Sequence, residues 1–173
     1  MDMIDEVLPA EFQQMIVDTI KQQCYCYKQI AAQEKKLYYE PYSNRRSKYK
    51  VTAAVLSGFA PDRFMKDGIE VKDLCYGLRT NSLVQPELIT DTAVLQLYSN
   101  TATPYKNNIV LERCQQYNGA AKENRRFIII RFWVDKIGNL KRIEAHYPDE
   151  NGKILESKIL YKRTIIALRA STA

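Results

Sequence analysis

The sequence predicts an α+β fold in which a long N-terminal helix and additional helices pack on a C-terminal antiparallel β-meander. Three observations carry that prediction. Apolar residues recur at helical spacing from Phe12 to Ala31. From Arg126 the period changes to two. Two loops, 135–139 and 148–152, then divide 126–161 into three strands joined by hairpins. The chain has 173 residues, which fits one domain, 1–173, at ~100–200 residues per domain.

The helix start is marked by Leu8-Pro9-Ala10-Glu11, with proline in the first turn and a carboxylate at the positive end of the dipole. Phe12, Ile16, Ile20, Tyr27, Ile30 and Ala31 form its apolar face. Within the helical region 1–36, a helix from this start to about residue 34 would extend ~37–40 Å, more than a domain of this size needs for its own core. It is therefore a candidate surface for a protein partner or for a homodimer. Pro41 and Ser43-Asn44 break the pattern, and Tyr49, Ala53, Leu56 and Phe59 resume it up to Gly58. The β-branched Val51, Thr52 and Val55 keep a strand open for 51–59. Turn residues fill 61–91, with a short strand at 69–71, and 92–98 alternates as a strand. Asn107 or Asn108 caps a further helix whose stripe is Ile109, Val110, Arg113, Cys114 and Tyr117, with Gly119 as its C′ residue.

Hydrophobic residues are 46% of the chain and charged residues 27%, a globular composition. No run of about 18 apolar residues predicts a membrane span, and the acidic N-terminus predicts no secretory leader. A cytoplasmic location is expected. Cys24, Cys26, Cys75 and Cys114 then read as reduced thiols, since Cys24-Tyr25-Cys26 lacks zinc-knuckle spacing. The six glycines form no phosphate-binding motif, so no nucleotide cofactor is implied.

The net charge is +6, and it is unevenly placed. Residues 1–40 carry −3, 41–60 carry +4, 61–100 carry −2 and 101–173 carry +7. The segment 41–60 holds Arg45, Arg46, Lys48 and Lys50 without a carboxylate. Cations in the first turns of a helix oppose its dipole by ~0.3–1 kcal/mol each. The same geometry suits a phosphate, and Tyr42 and Tyr49 are placed to stack on unpaired bases.

Strict alternation puts Ile128, Ile130, Phe132 and Val134 on the core face with Ile143, Ala145, Tyr147, Leu155, Ile159 and Tyr161. The other face presents Arg131, Trp133, Arg142 and Lys158, basic and aromatic together, as on single-strand binding sheets. Without a bulge in the last hairpin, Glu144 would oppose Glu156 and Arg142 would oppose Lys158, two unfavourable like-charge pairs. A glycine bulge at Gly152 is the expected escape. A cation held by Glu144, His146 and Glu156 is the alternative.

Two strings, Pro61-Asp62…Glu70-Val71-Lys72 and Pro148-Asp149…Glu156-Ser157-Lys158, spell the pattern of PD-(D/E)xK nucleases. With 20 acidic and 26 basic residues, about three acid-x-base triplets arise by chance. Asp149 and Glu156 lie up to ~23 Å apart along a strand, too far to share a metal. Asp62, Glu70 and Lys72 remain the alternative catalytic set. The single histidine, His146, has no spacing to a nucleophile.

The leading expectation is a small non-catalytic protein that binds nucleic acid or a nucleoprotein, of the accessory or anti-defence type found in bacteria and phages. The alternatives are a metal-dependent nuclease and a protein-only dimerisation module.

Overall fold

The computed structural model describes residues 2–37, 44–74, 85–120, 124–135 and 137–164, with side chains at 34–37 and 44–49 outside that description. The fold is α+β. The helices are α1 (Met3–Val7), α2 (Ala10–Leu37), α3 (Asn44–Ser57) and α4 (Asn108–Asn118), and a short 3-10 turn covers Pro104–Lys106. The strands are β1 (Glu70–Asp73), β2 (Pro86–Ile89), β3 (Ala93–Ser99), β4 (Arg126–Val134), β5 (Leu140–Pro148) and β6 (Ile154–Lys162). They form one sheet in the order β1-β2-β3-β4-β5-β6.

The predicted meander is present as β4–β6 and makes half of a larger mixed sheet. All neighbours are antiparallel except β3 and β4, which pair in parallel from Ala93↔Arg126 to Ser99↔Phe132. Parallel neighbours need a crossover, and α4 supplies it. The two strands are central and read as apolar runs because both of their faces are covered. Leu95, Leu97, Ile128, Ile130 and Phe132 pack with Phe12, Ile16 and Ile20 of α2 and with Val51 and Val55 of α3. Val94, Tyr98, Phe127 and Ile129 pack with Val110 and Cys114 of α4.

The region 1–36 holds two helices: α2 begins at Ala10, as the Leu8-Pro9 signal predicts, and the short α1 precedes it. The Gln13 side chain donates to the freed Leu8 carbonyl at 2.7 Å. The segment 51–59, open between strand and helix, is helical through Ser57, because Val51, Val55 and Leu56 share the face turned to the core. Gly119 does end α4, but in an extended conformation (φ −76°, ψ −172°) rather than the left-handed one expected. Asn118 takes over the closing role. Its Oδ1 accepts the Phe127 N–H at 2.8 Å, and its Nδ2 donates to the carbonyls of Phe127 and Pro148 at 2.9 and 2.8 Å.

The strict alternation predicted for β6 fails. Register shifts between Tyr147 and Pro148 and between Ile143 and Glu144 leave Leu155 and Leu160 as the extra residues. Each shift is by one residue, so the faces are exchanged over Glu156–Ile159, between the two bulges, and Tyr161 returns to the core side opposite Ile143. Leu155 and Ile159, expected in the core, are exposed. Glu156 and Lys158, expected on the outer face, now pair with Tyr147 and Ala145 and serve α1. Glu156 accepts the N–H groups of Met3 and Ile4 at 2.9 and 3.2 Å, capping that helix. Lys158 forms an ion pair with Asp5 and donates to Gln13 at 3.0 Å; that contact holds the Asp5 carboxyl below its ordinary range. The like-charge pairs do not form, and Gly152 occupies the turn with φ +85°.

Asn118→Ala removes a donor and an acceptor that satisfy backbone groups at the β4 entrance. A stability loss of roughly 2–4 kcal/mol is expected from urea unfolding. A loss under about 0.5 kcal/mol would show that the crossover does not depend on this clamp.

Candidate anion-binding surfaces

Arg45, Arg46, Lys48, Tyr49 and Lys50 fall in the first two turns of α3, as the capping signal at Asn44 implies. Lys50 is exposed. The other four side chains lie outside the description, as does Tyr42 entirely. The Gln23 amide of α2 donates to the Ala54 carbonyl of α3 at 2.7 Å, which ties the later part of α3 to α2.

Arg131, Trp133 and Arg142 are brought together on the α4 side of the sheet, beyond the part that α4 covers. Trp133 pairs with Arg142 and Arg131 with Glu144 across β4 and β5. The guanidinium carbons of Arg131 and Arg142 lie 5.9 and 5.6 Å from the Trp133 ring centroid, within cation–π range. Both cations have other obligations. Arg131 donates to the carbonyls of Ser99 and Ala102, each at 3.1 Å. Arg142 binds the Glu144 carboxylate at 2.9 Å. The cluster has one positive charge in surplus, the buried Nε of both Arg131 and Arg142 has no hydrogen-bond partner, and Lys158 is on the other side of the sheet.

His146 belongs to the same cluster. It meets the Glu144 carboxylate at 3.8 Å and the Tyr105 hydroxyl at 3.2 Å. Burial lowers its pKa, and the neighbouring Arg131 and Arg142 add to that, against the opposing pull of Glu144. Glu156 has gone to the opposite face, so the set Glu144, His146 and Glu156 does not converge. Asp62 is exposed in the turn after α3, while Glu70 and Lys72 pair loosely with each other at 3.9 Å on the edge strand β1. Among the described residues no three His, Cys, Asp or Glu side chains are grouped to hold a metal.

A polar cluster that the sequence reading missed lies under α4. Arg113 donates to both oxygens of the buried Glu87 at 2.8 and 3.2 Å. Gln96 donates to Glu87 at 2.7 Å, and Tyr98 donates to Gln96 at 2.6 Å. Every member has a partner within the set, so it reads as the anchor of α4. Sequence alone signals only that Gln96 interrupts an apolar strand.

The surface with the clearest chemistry is also one that sequence reading missed. A groove of about 230 Å³ runs between α2, the β4–β5 loop and the end of β6. Lys21, Tyr25 and Lys28 come from α2, at i, i+4 and i+7, one helical face. Tyr161 and Arg163 come from the end of β6. Three cations and two tyrosines line it, and no carboxylate does. Lys21 stacks over the Tyr161 ring at 5.1 Å, and Lys28 donates to the Asn139 side chain at 2.8 Å. The nearby Asp135 is folded into its own loop. Burial works against its charge, but the N–H groups of Asn139 and Ile137 outweigh this and hold its carboxyl below the ordinary range. Cys24 closes the inner wall as a buried thiol, pushed up to about 12 chiefly by burial, and is therefore unreactive.

The loop approaches α2 this closely because residue 138 is glycine. Its φ is +86°, and a Cβ there would stand 2.7 Å from Tyr27 Cδ1 and 3.0 Å from Lys28 Cγ. Sequence marked this loop as a hairpin without revealing its neighbour. No family model, curated protein or solved structure matches the chain.

Gly138→Ala is expected to cost roughly 1–3 kcal/mol in thermal or chemical unfolding, from the positive φ and the contact with α2; an unchanged midpoint would mean the loop can lift away freely. His146 gives a second test. Its folded pKa lies below the ordinary 6.5, so the unfolded chain binds more protons below that pH and stability falls as pH drops through this window. Since the chain has one histidine, His146→Gln should flatten the slope between about pH 6.5 and 5. Identical slopes in the two proteins would contradict the assignment.

Proposed function

We propose that this protein is a non-catalytic nucleic-acid-binding module that takes the phosphate backbone in the groove between α2 and the β4–β5 loop. The observation that carries the reading is the convergence of Lys21, Lys28 and Arg163 with Tyr25 and Tyr161 in a lining free of carboxylates. Phosphate contacts from such cations release condensed counterions and supply most of the binding free energy without reading sequence. The basic first turns of α3, with Arg45, Arg46, Lys48 and Lys50, are a second source of phosphate contacts in this reading. Binding to a nucleoprotein is compatible with the same surface, because the anionic component would be recognised identically.

A second reading, a protein interface on α2, is supported by Ile30, which lies 56% exposed on a helix whose earlier turns are buried. Sedimentation at two concentrations addresses it. A concentration-independent mass would remove self-association.

Affinity for a labelled single-stranded oligonucleotide should fall with rising salt, with a slope in log K against log[salt] of roughly −0.7 per phosphate contact. Reversing charge at Lys28 and Arg163 together (K28E, R163E) should weaken binding and flatten that slope by about 1.4. Reversal at Arg45 and Arg46 should flatten it again in the variant already carrying the first pair. Affinity insensitive to both salt and these substitutions would overturn the proposal.

A further inference from the structure

We infer that the groove beside α2 accepts a single unpaired nucleotide, its base against the Tyr25 ring and its phosphate on Lys28 and Arg163, so that the protein selects single strands over duplex. The inference rests on the binding reading above and specifies what that site recognises.

Size is the first argument. The groove, open to solvent and about 230 Å³, is smaller than the ~300–1,000 Å³ of pockets for drug-sized ligands, so it has room for no more than one nucleotide, lying partly along its rim. In a duplex the bases are stacked inside and only the backbone could touch the rim, leaving the tyrosines unused. Exposure is the second. Tyr25 is 60% exposed on the helical face that also carries Lys21 and Lys28, so an aromatic face is open to solvent within one turn of each cation. Nothing in the core requires tyrosine there. The third is the pairing already present inside the groove. Lys21 sits over the Tyr161 ring, which holds that ring as a wall and keeps an ammonium group beside it for a phosphate. Lys28 is bonded to the Asn139 side chain, which Asp135 holds in turn, so the ammonium is fixed in place at the groove. Bases stack on aromatic rings with little sequence preference, so selection should follow strandedness.

The test is fluorescence anisotropy with a labelled thymidine oligonucleotide roughly a dozen nucleotides long, single-stranded and annealed to its complement, using the full chain. The single strand should bind at least about tenfold more tightly. Tyr25→Ala should weaken single-strand binding roughly 5- to 150-fold with the salt slope unchanged, while Tyr25→Phe retains affinity. Circular dichroism should show both variants folded, as expected for an exposed position. Equal binding of single strand and duplex, with Tyr25→Ala silent but Lys28 and Arg163 reversal still damaging, would overturn this inference and leave nucleic-acid binding intact. Failure of the unaltered protein to bind either form would overturn both.

Discussion

Seven residues of β3 pair in parallel with β4, and this pairing obliges the chain to leave the sheet and return at the same end. Every other neighbour is reached through an antiparallel connection. The crossover places α4 on one face, opposite the face taken by α1, α2 and α3, so the two central strands are buried on both sides. Their apolar character follows from this position. Two polar devices secure it. Arg113 and Glu87 fix α4 to the sheet from within, where an unpaired buried charge would cost several kcal/mol. Asn118 satisfies the backbone at the point where the chain re-enters. Because α4 covers β4 at Phe127 and Ile129 and not its later residues, Trp133 stands beyond it between Arg131 and Arg142.

The far edge of the sheet is governed by register. The extra residue Leu155 turns Glu156 and Lys158 toward α1, and a second one, Leu160, restores the original facing for Tyr161. That exchange gives the first helix its cap and its ion pair, and it aligns the N-terminal segment with the end of the sheet. The strand finishes with Tyr161 and Arg163 beside α2, across from the glycine-tipped loop. The groove is thus a product of long-range register. Its members come from positions 21–28, 138–140 and 161–163, which no local pattern associates.

Much of the architecture was legible in the sequence. The helical stripe through Phe12, Ile16 and Ile20, the Asn107 cap of α4 and the hairpins at 135–139 and 148–152 are written in local chemistry, and all appear. What misled was equally specific. The short α1 ahead of Pro9 was not separated from α2, since five residues are too few to show a helical period of their own. Strand alternation predicted an apolar inner face for β6, and each bulge inverted the parity that the prediction assumed. The short strand expected at 69–71 appears as β1, whereas β2 was missed because it has only four residues, begins at a proline and carries the charged Glu87 among its apolar residues.

For function, sequence alone determined composition, the distribution of charge and the presence of a basic turn entering α3, because those depend only on which residues are neighbours along the chain. It also grouped Arg131, Trp133 and Arg142, since strand alternation and hairpin pairing are local. Tertiary structure decided that Lys158 and Glu156 leave that group and that Lys21, Tyr25, Lys28, Tyr161 and Arg163 form another. The physical reason is that a binding surface is set by which side chains converge in space, and here convergence depends on a parallel crossover, two register shifts and one glycine at positive φ.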